Sequence, residues 1–411
     1  MAKKVRVGVL SKVFVEWSGG VDFIIYIANA VASTRDFEVF FLIPDTNEPL
    51  HIYEHKFTKG LPRVTWRLKA VHPSHLNNPA EPLLDDLAKN IKIVYYRNSL
   101  EGFLYCLQKN KLKAVLPSTE TLGNTFPIPW VGYIWDFQHK HLPKYFSIDE
   151  VNGRDKIFKD LLSDANAVVV NSRATKNDVL KYFPEYRNVK IEALPFAPHP
   201  SREWLNINGK KVTKKYGLDD HPYLIVCNQF WLHKSHLTVI NAMSQIAKQQ
   251  PSLHLVCTGK MEEPRDPSYI DKLKTTILKL GLNNKIHLLG YVSKEDQIGL
   301  LKESVALVQP TLYEGGPGGG AAYNAAALGV PMIVSDIPIN LEINIGKPIF
   351  FKAGSAKDLA SKINLAYNHE SPRPSKSELI KKGAKNSYEL STTLAKLLDR
   401  ILYDRKAKHD I

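Results

Sequence analysis

Short runs of β-branched and other apolar residues alternate along the chain with longer stretches in which apolar residues recur every three or four positions. The short runs are typical of buried strands, and the longer stretches are typical of amphipathic helices. In the first half, this pattern predicts strands at 5–11, 38–43, 91–95, 113–117, 130–135 and 167–171 and helices at 22–32, 99–109 and 173–183. Such alternation favours a parallel sheet covered by helices on both faces.

A proline-rich, polar segment at 195–209 interrupts the alternation and is interpreted as a linker. Beyond it, the pattern predicts strands at 223–228, 253–258, 285–289, 306–309 and 332–335 and helices at 234–249, 267–280, 294–303, about 318–328 and 377–407. We therefore expect an α/β protein with two Rossmann-like, doubly wound domains, 1–198 and 199–385, that face each other across a ligand cleft. A last helix, 386–411, is expected to pack back on the first domain.

Composition and charge narrow the function classes. The 411 residues are 44% hydrophobic and 23% charged, which is typical of a globular protein with more than one domain. No apolar run of about 18 residues is present, so no membrane span is predicted. Three isolated cysteines fit a reducing cytoplasm. The net charge of +14 is compatible with a phosphate-bearing ligand or with peripheral contact at an anionic membrane, whereas no nucleic-acid-binding motif is present.

The strongest functional pattern lies between Val308 and Glu342. A predicted strand runs into Pro310, an acid follows at Glu314, and five glycines lie between 315 and 320 ahead of an apolar helix. Glycines let backbone N–H groups approach a ligand closely, and a helix N-terminus favours a phosphate. The carboxylate can accept hydrogen bonds from sugar hydroxyls. The pattern predicts an anion or sugar site, with glycines that only relieve strain in a turn as the alternative.

This segment resembles the signature of retaining GT-B glycosyltransferases of glycosyltransferase family 4, the "glycosyl transferases group 1" family. The matching residues are Pro310, Glu314, Gly315, Ala325, Gly329 and Pro331. The resemblance implies a GT-B fold and sugar transfer from a nucleotide-sugar donor, with donor contacts from Glu314, Gly315, Gly316 and Gly318. The family's second Glu is Asn324 here, an amide that can still hydrogen-bond a ribose hydroxyl.

A second resemblance covers 226–242, which is similar to the family's strand, loop and helix that open the nucleotide-binding domain. Lys234 occupies the position of the family's lysine that grips the donor diphosphate, at the predicted start of a helix. The arginine of the same grip is replaced by Asn228, which we still expect to contact the donor. His233 or His236 is expected to compensate for the missing charge.

The resemblance extends to shorter segments. Gly19 and Gly20 follow the first predicted strand and resemble the family's glycine-rich loop that faces the phosphates. Tyr291 and Val292 resemble residues that lie near the nucleotide base. The resemblance thus implies an acceptor-binding first domain and a donor-binding second domain.

The segment 130–146 is similar to the family's strand that ends in His-Asp, but the histidine is Trp135 here. We therefore expect Asp136 to take the polar role beside the sugar, with His139 and His141 as further acceptor or sugar contacts. Together with Glu314 and Lys234, Asp136 completes the predicted catalytic set.

No Asp-x-Asp pair and no metal-ligand spacing occur in the sequence, so we predict neither a metal nor a cofactor. The expected co-substrate is a UDP- or GDP-sugar, and the expected acceptor is a glycan or a lipid-linked glycan of surface polysaccharide assembly in the cytoplasm. Two alternatives stay open. A UDP-sugar 2-epimerase shares the fold, and the replacements at Asn324, Asn228 and Trp135 are also compatible with a nucleotide-sugar-binding partner without catalytic activity.

Overall fold

The computed structural model describes residues 4–16, 18–45, 87–369 and 372–409. The first half of the chain forms a seven-stranded sheet. Its strands are β1 (Val5–Leu10), β2 (Phe37–Asp45), β3 (Lys92–Arg97), β4 (Ala114–Ser118), β5 (Trp130–Ile134), β6 (Ala167–Val170) and β7 (Ile191–Ala193). Its helices are α1 (Ser18–Ala32), α2 (Leu100–Lys109), α3 (Gln138–His141), α4 (Ile148–Asp164) and α5 (Arg173–Tyr182). The strand order is β3-β2-β1-β4-β5-β6-β7.

The second half forms a six-stranded parallel sheet in the order β10-β9-β8-β11-β12-β13. Its strands are β8 (Tyr223–Cys227), β9 (His254–Thr258), β10 (Ile286–Gly290), β11 (Ala306–Gln309), β12 (Met332–Ser335) and β13 (Ile349–Phe351). Its helices are α6 (Arg202–Asn206), α7 (Gly209–Lys215), α8 (His236–Ile246), α9 (Tyr269–Lys279), α10 (Lys294–Glu303), α11 (Gly319–Leu328), α12 (Ala356–Asn368) and α13 (Lys376–His409). None of these described helices combines the length and apolar character that a bilayer crossing requires.

The central strand β8 is buried on both faces, as a parallel sheet requires. Successive side chains of a strand point to opposite faces. Ile225 packs in one buried cluster with Ala322 of α11, and Val226 packs in a second cluster with Ile240 of α8. The core therefore fixes the carboxyl end of β8 and the start of α11, where the site is built.

Two Rossmann-like parallel sheets confirm the predicted fold class. The predicted bounds of α10, β11 and β12 agree with those observed. The pattern missed β7, β13, α4 and α12, although the capping box formed by Ser147 and Glu150 marks the start of α4 in the sequence. The chain divides into two compact units, 1–117 and 118–411. The boundaries predicted at 198 and 385 stay predictions.

The predicted linker, 195–209, requires correction. Its second part folds into α6 and leads directly into α7. Trp204 and Leu205 are buried in the core of the second sheet. A polar and proline-rich composition marked the segment as a loop, but these two apolar side chains anchor it by packing.

Candidate functional site

The site is built on a glycine turn, defined as residues 315–319, between β11 and α11. Gly318 and Gly319 have φ angles of 62° and 60°, in the left-handed region that favours glycine. A Cβ on Gly318 would collide with the Cβ of Ala322, and a Cβ on Gly319 would lie 2.8 Å from Oε2 of Glu314. These glycines are thus required by backbone geometry and by the closeness of the carboxylate.

Gly315 and Gly316 have a different reason to lack a side chain. A Cβ on Gly315 would lie 2.6 Å from the carbonyl oxygen of Trp135, and one on Gly316 would lie 3.2 Å from the Cβ of Asn171. The glycine turn therefore packs closely against the segments that follow β5 and β6.

Glu314 lies at the centre of a polar network. Its side chain is only 7% exposed, and its Oε1 accepts a hydrogen bond from Lys234 Nζ at 2.5 Å. The same oxygen accepts from Nε2 of Gln309 at 3.0 Å. Asn228 Nδ2 in turn donates to Gln309 Oε1 at 2.7 Å. The structure therefore brings Glu314, Lys234 and Asn228 together and adds Gln309, which sequence reasoning missed; the contacts of these residues with a donor stay predictions.

A second set of hydrogen bonds holds the backbone of the glycine turn. Asn340 Oδ1 accepts the backbone N–H of Gly318 at 2.8 Å, and its Nδ2 donates to the carbonyl of Ser335 at 3.0 Å. The Ser335 hydroxyl donates to the carbonyl of Thr311 at 2.6 Å. Sequence reasoning also missed these residues, although a polar residue at the end of an otherwise apolar strand, Ser335, was a signal.

Lys234 is presented by a short loop and does not begin a helix, contrary to the prediction. It ends a 3-10 turn, Ser235 adopts a left-handed conformation with a φ of 53°, and α8 begins at His236. The carboxylate of Glu263 accepts the backbone N–H groups of Leu232 and Arg265 at 2.6 and 2.9 Å. Glu263 thus ties the loop that carries the lysine to the next loop of the sheet.

His233 and His236 do not replace the missing arginine, so this expectation is corrected. Both rings are buried, and the His236 ring stacks on Phe230 with centroids 4.3 Å apart. Burial, reinforced by the positive charge of Lys234, lowers the pKa of His233 to about 2 and that of His236 to about 3. Both are therefore neutral and cannot supply a positive charge.

The buried His236 predicts a specific acid sensitivity. Because its folded pKa of about 3 lies below its ordinary value of 6.5, the unfolded chain takes up the proton first. The contribution of the neutral His236 ring to the free energy of unfolding is therefore complete above pH 6.5 and is lost as the pH falls toward 3. His236→Phe is expected to remove a slope of up to about 1.4 kcal/mol per pH unit between pH 6 and 4. Denaturant titrations at several pH values measure this slope, and an unchanged slope would contradict the assignment.

Asp136 is held by neighbouring groups. It forms an ion pair with Arg154 and accepts the backbone N–H of Gln138 at 2.8 Å. The Arg154 guanidinium also lies over the Trp135 ring, 5.4 Å from its centroid. Because Gly315 packs on Trp135, the structure places Asp136 beside the glycine turn. The Asp136 carboxylate thus already accepts from two donors, and its catalytic role stays a prediction.

The two predicted histidine contacts differ in their surroundings. The His139 ring is completely buried, lies 2.9 Å from Asp155 and stacks on Phe137. Burial lowers its pKa, and the structure offers no support for a sugar contact by this ring. His141 is partly exposed, its Nε2 donates a hydrogen bond to Asp178 Oδ2 at 2.8 Å, and the centroid of its ring lies 5.0 Å from that of Tyr313.

The remaining predicted site residues lie on separate elements. Gly19 and Gly20 belong to the first turn of α1, which corrects the predicted loop. Tyr291, just after β10, is largely exposed, and Val292 is buried. Asn324 lies on α11, nearly buried, and its amide makes no hydrogen bond within the described part of the chain. Their contacts with a donor stay predictions.

Metal ligation has no support among the described residues, because they contain no group of three or more histidine, cysteine or acidic side chains that could hold an ion. Lys234 and the N-terminus of α11 contribute positive charge at the glycine turn.

Comparison with solved structures decides the architecture. HepE from Anabaena, crystallised with UDP-glucose, is 14% identical, with a TM-score of 0.57 over 98% of this chain and 99% of that chain. Sucrose-phosphate synthase from Thermosynechococcus elongatus is 14% identical, with a TM-score of 0.60 over 99% and 98%. The chain has the GT-B fold. WaaG, a glycosyltransferase involved in lipopolysaccharide biosynthesis, gives 14% identity and a TM-score of 0.53 over 95% of both chains.

Two comparisons of the sequence show further similarities of this GT-B protein. Residues 210–386 match the model of the family described as glycosyl transferases group 1. A 105-residue stretch is 30% identical to mannosylfructose-phosphate synthase from Agrobacterium fabrum. The match spans 25% of this chain and 23% of that relative. The matched segment includes the loop of Lys234, Glu314 and the glycine turn.

Proposed function

We propose that the protein is a retaining glycosyltransferase of family 4 that transfers a hexose from a nucleotide-sugar to a hydroxyl of a glycan or lipid-linked acceptor. The observation that carries the proposal is the Lys234–Glu314 pair at the N-terminus of α11. It combines a cation, a carboxylate and a helix N-terminus within the matched family segment. These are groups that can hold a diphosphate and a sugar side by side.

In the proposed mechanism, the donor diphosphate lies against Lys234 and the first turn of α11. Negative charge grows on the diphosphate as the bond to the sugar breaks, and these positive groups stabilise it. Glu314 accepts hydrogen bonds from the sugar hydroxyls and fixes the anomeric carbon relative to the acceptor. The acceptor hydroxyl attacks the anomeric carbon from the face that the diphosphate leaves, and a phosphate oxygen takes the acceptor proton. The sugar therefore keeps its configuration. Because Asp136 is already paired with Arg154, we assign no covalent intermediate to it.

The donor class follows from relatives and chemistry together. HepE was crystallised with UDP-glucose, which supports a UDP-sugar, and a GDP-sugar is the second candidate. We propose a surface polysaccharide or similar glycan as the product and a cytoplasmic site of action. The net charge of +14 supports peripheral contact with an anionic membrane that carries the acceptor.

Transfer is expected to be independent of metal ions, because Lys234 and α11 are assigned the charge stabilisation that a divalent cation gives in other enzymes. Treatment with EDTA should leave the rate of nucleoside diphosphate release within about twofold of the untreated rate. This change is far smaller than the change in rate expected when a contact to a charged group is lost. Loss of activity in EDTA, with recovery on adding Mg²⁺, would contradict this assignment.

The proposal is tested by incubating the protein with UDP- and GDP-sugars, with and without a glycan acceptor extract. A transferase releases the nucleoside diphosphate in step with a glycosylated product of retained configuration. Acceptor-free isomerisation of the donor would instead identify a 2-epimerase. Donor binding without turnover in the presence of every acceptor would identify a binding partner without catalytic activity.

A further inference from the structure

Behind Glu314 lies a buried chain of amide hydrogen bonds that the proposed function does not yet use. Asn228 donates to Gln309, and Gln309 donates to both Glu314 Oε1 at 3.0 Å and the Gly318 carbonyl at 2.8 Å. Gln309 is completely buried at the end of β11. We propose that Gln309, oriented by Asn228, is a positioning residue that fixes the orientation of the Glu314 carboxylate, so that one of its oxygens stays available to the donor sugar.

The direction of this chain is fixed by chemistry. A carboxylate and a backbone carbonyl can only accept hydrogen bonds, and both face the same end of the Gln309 side chain. That end must therefore be the NH₂ group, whose two hydrogens are used by Glu314 and Gly318. The Gln309 oxygen then faces Asn228, whose NH₂ group donates to it at 2.7 Å. Reversing the Gln309 amide would place oxygen against two acceptors, so the orientation is unique.

The two carboxylate oxygens of Glu314 therefore have different hydrogen-bond partners. Oε1 accepts from both Lys234 and Gln309, whereas Oε2 accepts no hydrogen bond within the described part of the chain. Oε2 lies beside Gly319 at the start of α11, where a side chain would approach it to 2.8 Å. Two donors from the protein thus hold one oxygen in place and leave the other to the ligand.

The same geometry changes the role of Asn228. Its position is that of a donor-gripping arginine in the family it resembles, but its NH₂ group is directed at Gln309. Asn228 therefore acts through Gln309 on Glu314, on the sugar side of the site. Lys234 remains the cation for the diphosphate.

This inference rests on the proposed function, and Gln309→Met tests it, because methionine has a similar length but cannot donate. A hydrogen bond to a charged group is lost, so kcat of transfer should fall about 10- to 100-fold. The Kd of UDP or GDP alone, whichever binds the wild type, should stay within about threefold. Asn228→Asp, which cannot donate to Gln309, should shift kcat in the same direction and by a smaller factor.

A double variant separates positioning from a general effect on folding. In the Glu314→Ala background, Gln309→Met should lower kcat by less than about threefold further, because the carboxylate that Gln309 orients is already absent. Ser304→Ala removes a buried hydroxyl that donates to the Leu301 carbonyl at the C-terminal end of α10, and it serves as the matched control with unchanged kcat. Multiplicative losses in the double variant would overturn the inference.

Failure of the proposed function and failure of this inference give different results. A wild type without transfer activity overturns the proposed function. The inference is then tested by binding. The wild type should bind the nucleotide-sugar more tightly than the nucleoside diphosphate, and Gln309→Met should reduce the ratio of these two Kd values. An active wild type with an unchanged kcat in a folded Gln309→Met variant overturns the inference alone.

Discussion

Glu314→Gln is expected to lower kcat of sugar transfer by about 100-fold or more, the size of effect seen when one preorganised contact to a reacting group is removed. The amide keeps the volume of the carboxylate but loses its charge, so hydrogen bonds to the sugar hydroxyls weaken by about half. The Lys234 ammonium also loses the opposite charge of its partner at 2.5 Å. A radiometric or coupled assay of nucleoside diphosphate release measures the effect.

The control for this substitution is Glu185→Gln. Glu185 is half-exposed and lies 3.9 Å from Lys159, a surface pair with little effect on stability. It should leave kcat unchanged and the free energy of unfolding within about 0.5 kcal/mol. A folded Glu314→Gln variant with near-normal turnover would remove Glu314 from the site.

Lys234→Met is expected to weaken binding of the nucleoside diphosphate by about 10- to 100-fold, because a charge-assisted hydrogen bond to phosphate is lost. Its methionine keeps most of the aliphatic stem, so packing in the loop should survive. Isothermal titration calorimetry at two salt concentrations measures the loss, and the salt dependence of Kd should decrease in the variant.

Lys156→Met provides the matched control, since Lys156 is an exposed lysine paired with Asp160 within α4. Its Kd for the nucleoside diphosphate should equal that of the wild type. Equal Kd values for Lys234→Met and the wild type would show that the diphosphate binds elsewhere.

The sequence predicted the architecture and the position of the glycine turn because both depend on local patterns. Alternating strand and helix periods are visible residue by residue, and the spacing from Pro310 through Glu314 to the glycines places the turn at the start of α11. Gly318 shows why this works, since its left-handed backbone is a local requirement. Such features depend on neighbouring residues in the chain and can therefore be recognised from the sequence.

The contacts that sequence missed join residues far apart in the chain. Gln309 meets Asn228 only because β11 and β8 are neighbours in the sheet, which places their carboxyl ends side by side. His139 looked available for a sugar because its loop is polar, but the aromatic cluster around Phe137 buries it. Its burial depends on packing partners that no local pattern identifies.

The most direct test of the central claim is a thermal-stability screen of the wild type and Lys234→Met against UDP, GDP, ADP, dTDP and their sugars. One nucleotide and its sugar should stabilise the wild type by about 2.7 kcal/mol at about 100 times Kd. The Lys234→Met variant should need about 10- to 100-fold more of the same ligand for the same shift. If no nucleotide stabilises the wild type, or if both proteins respond equally, the donor site proposed at Lys234, Glu314 and α11 is contradicted.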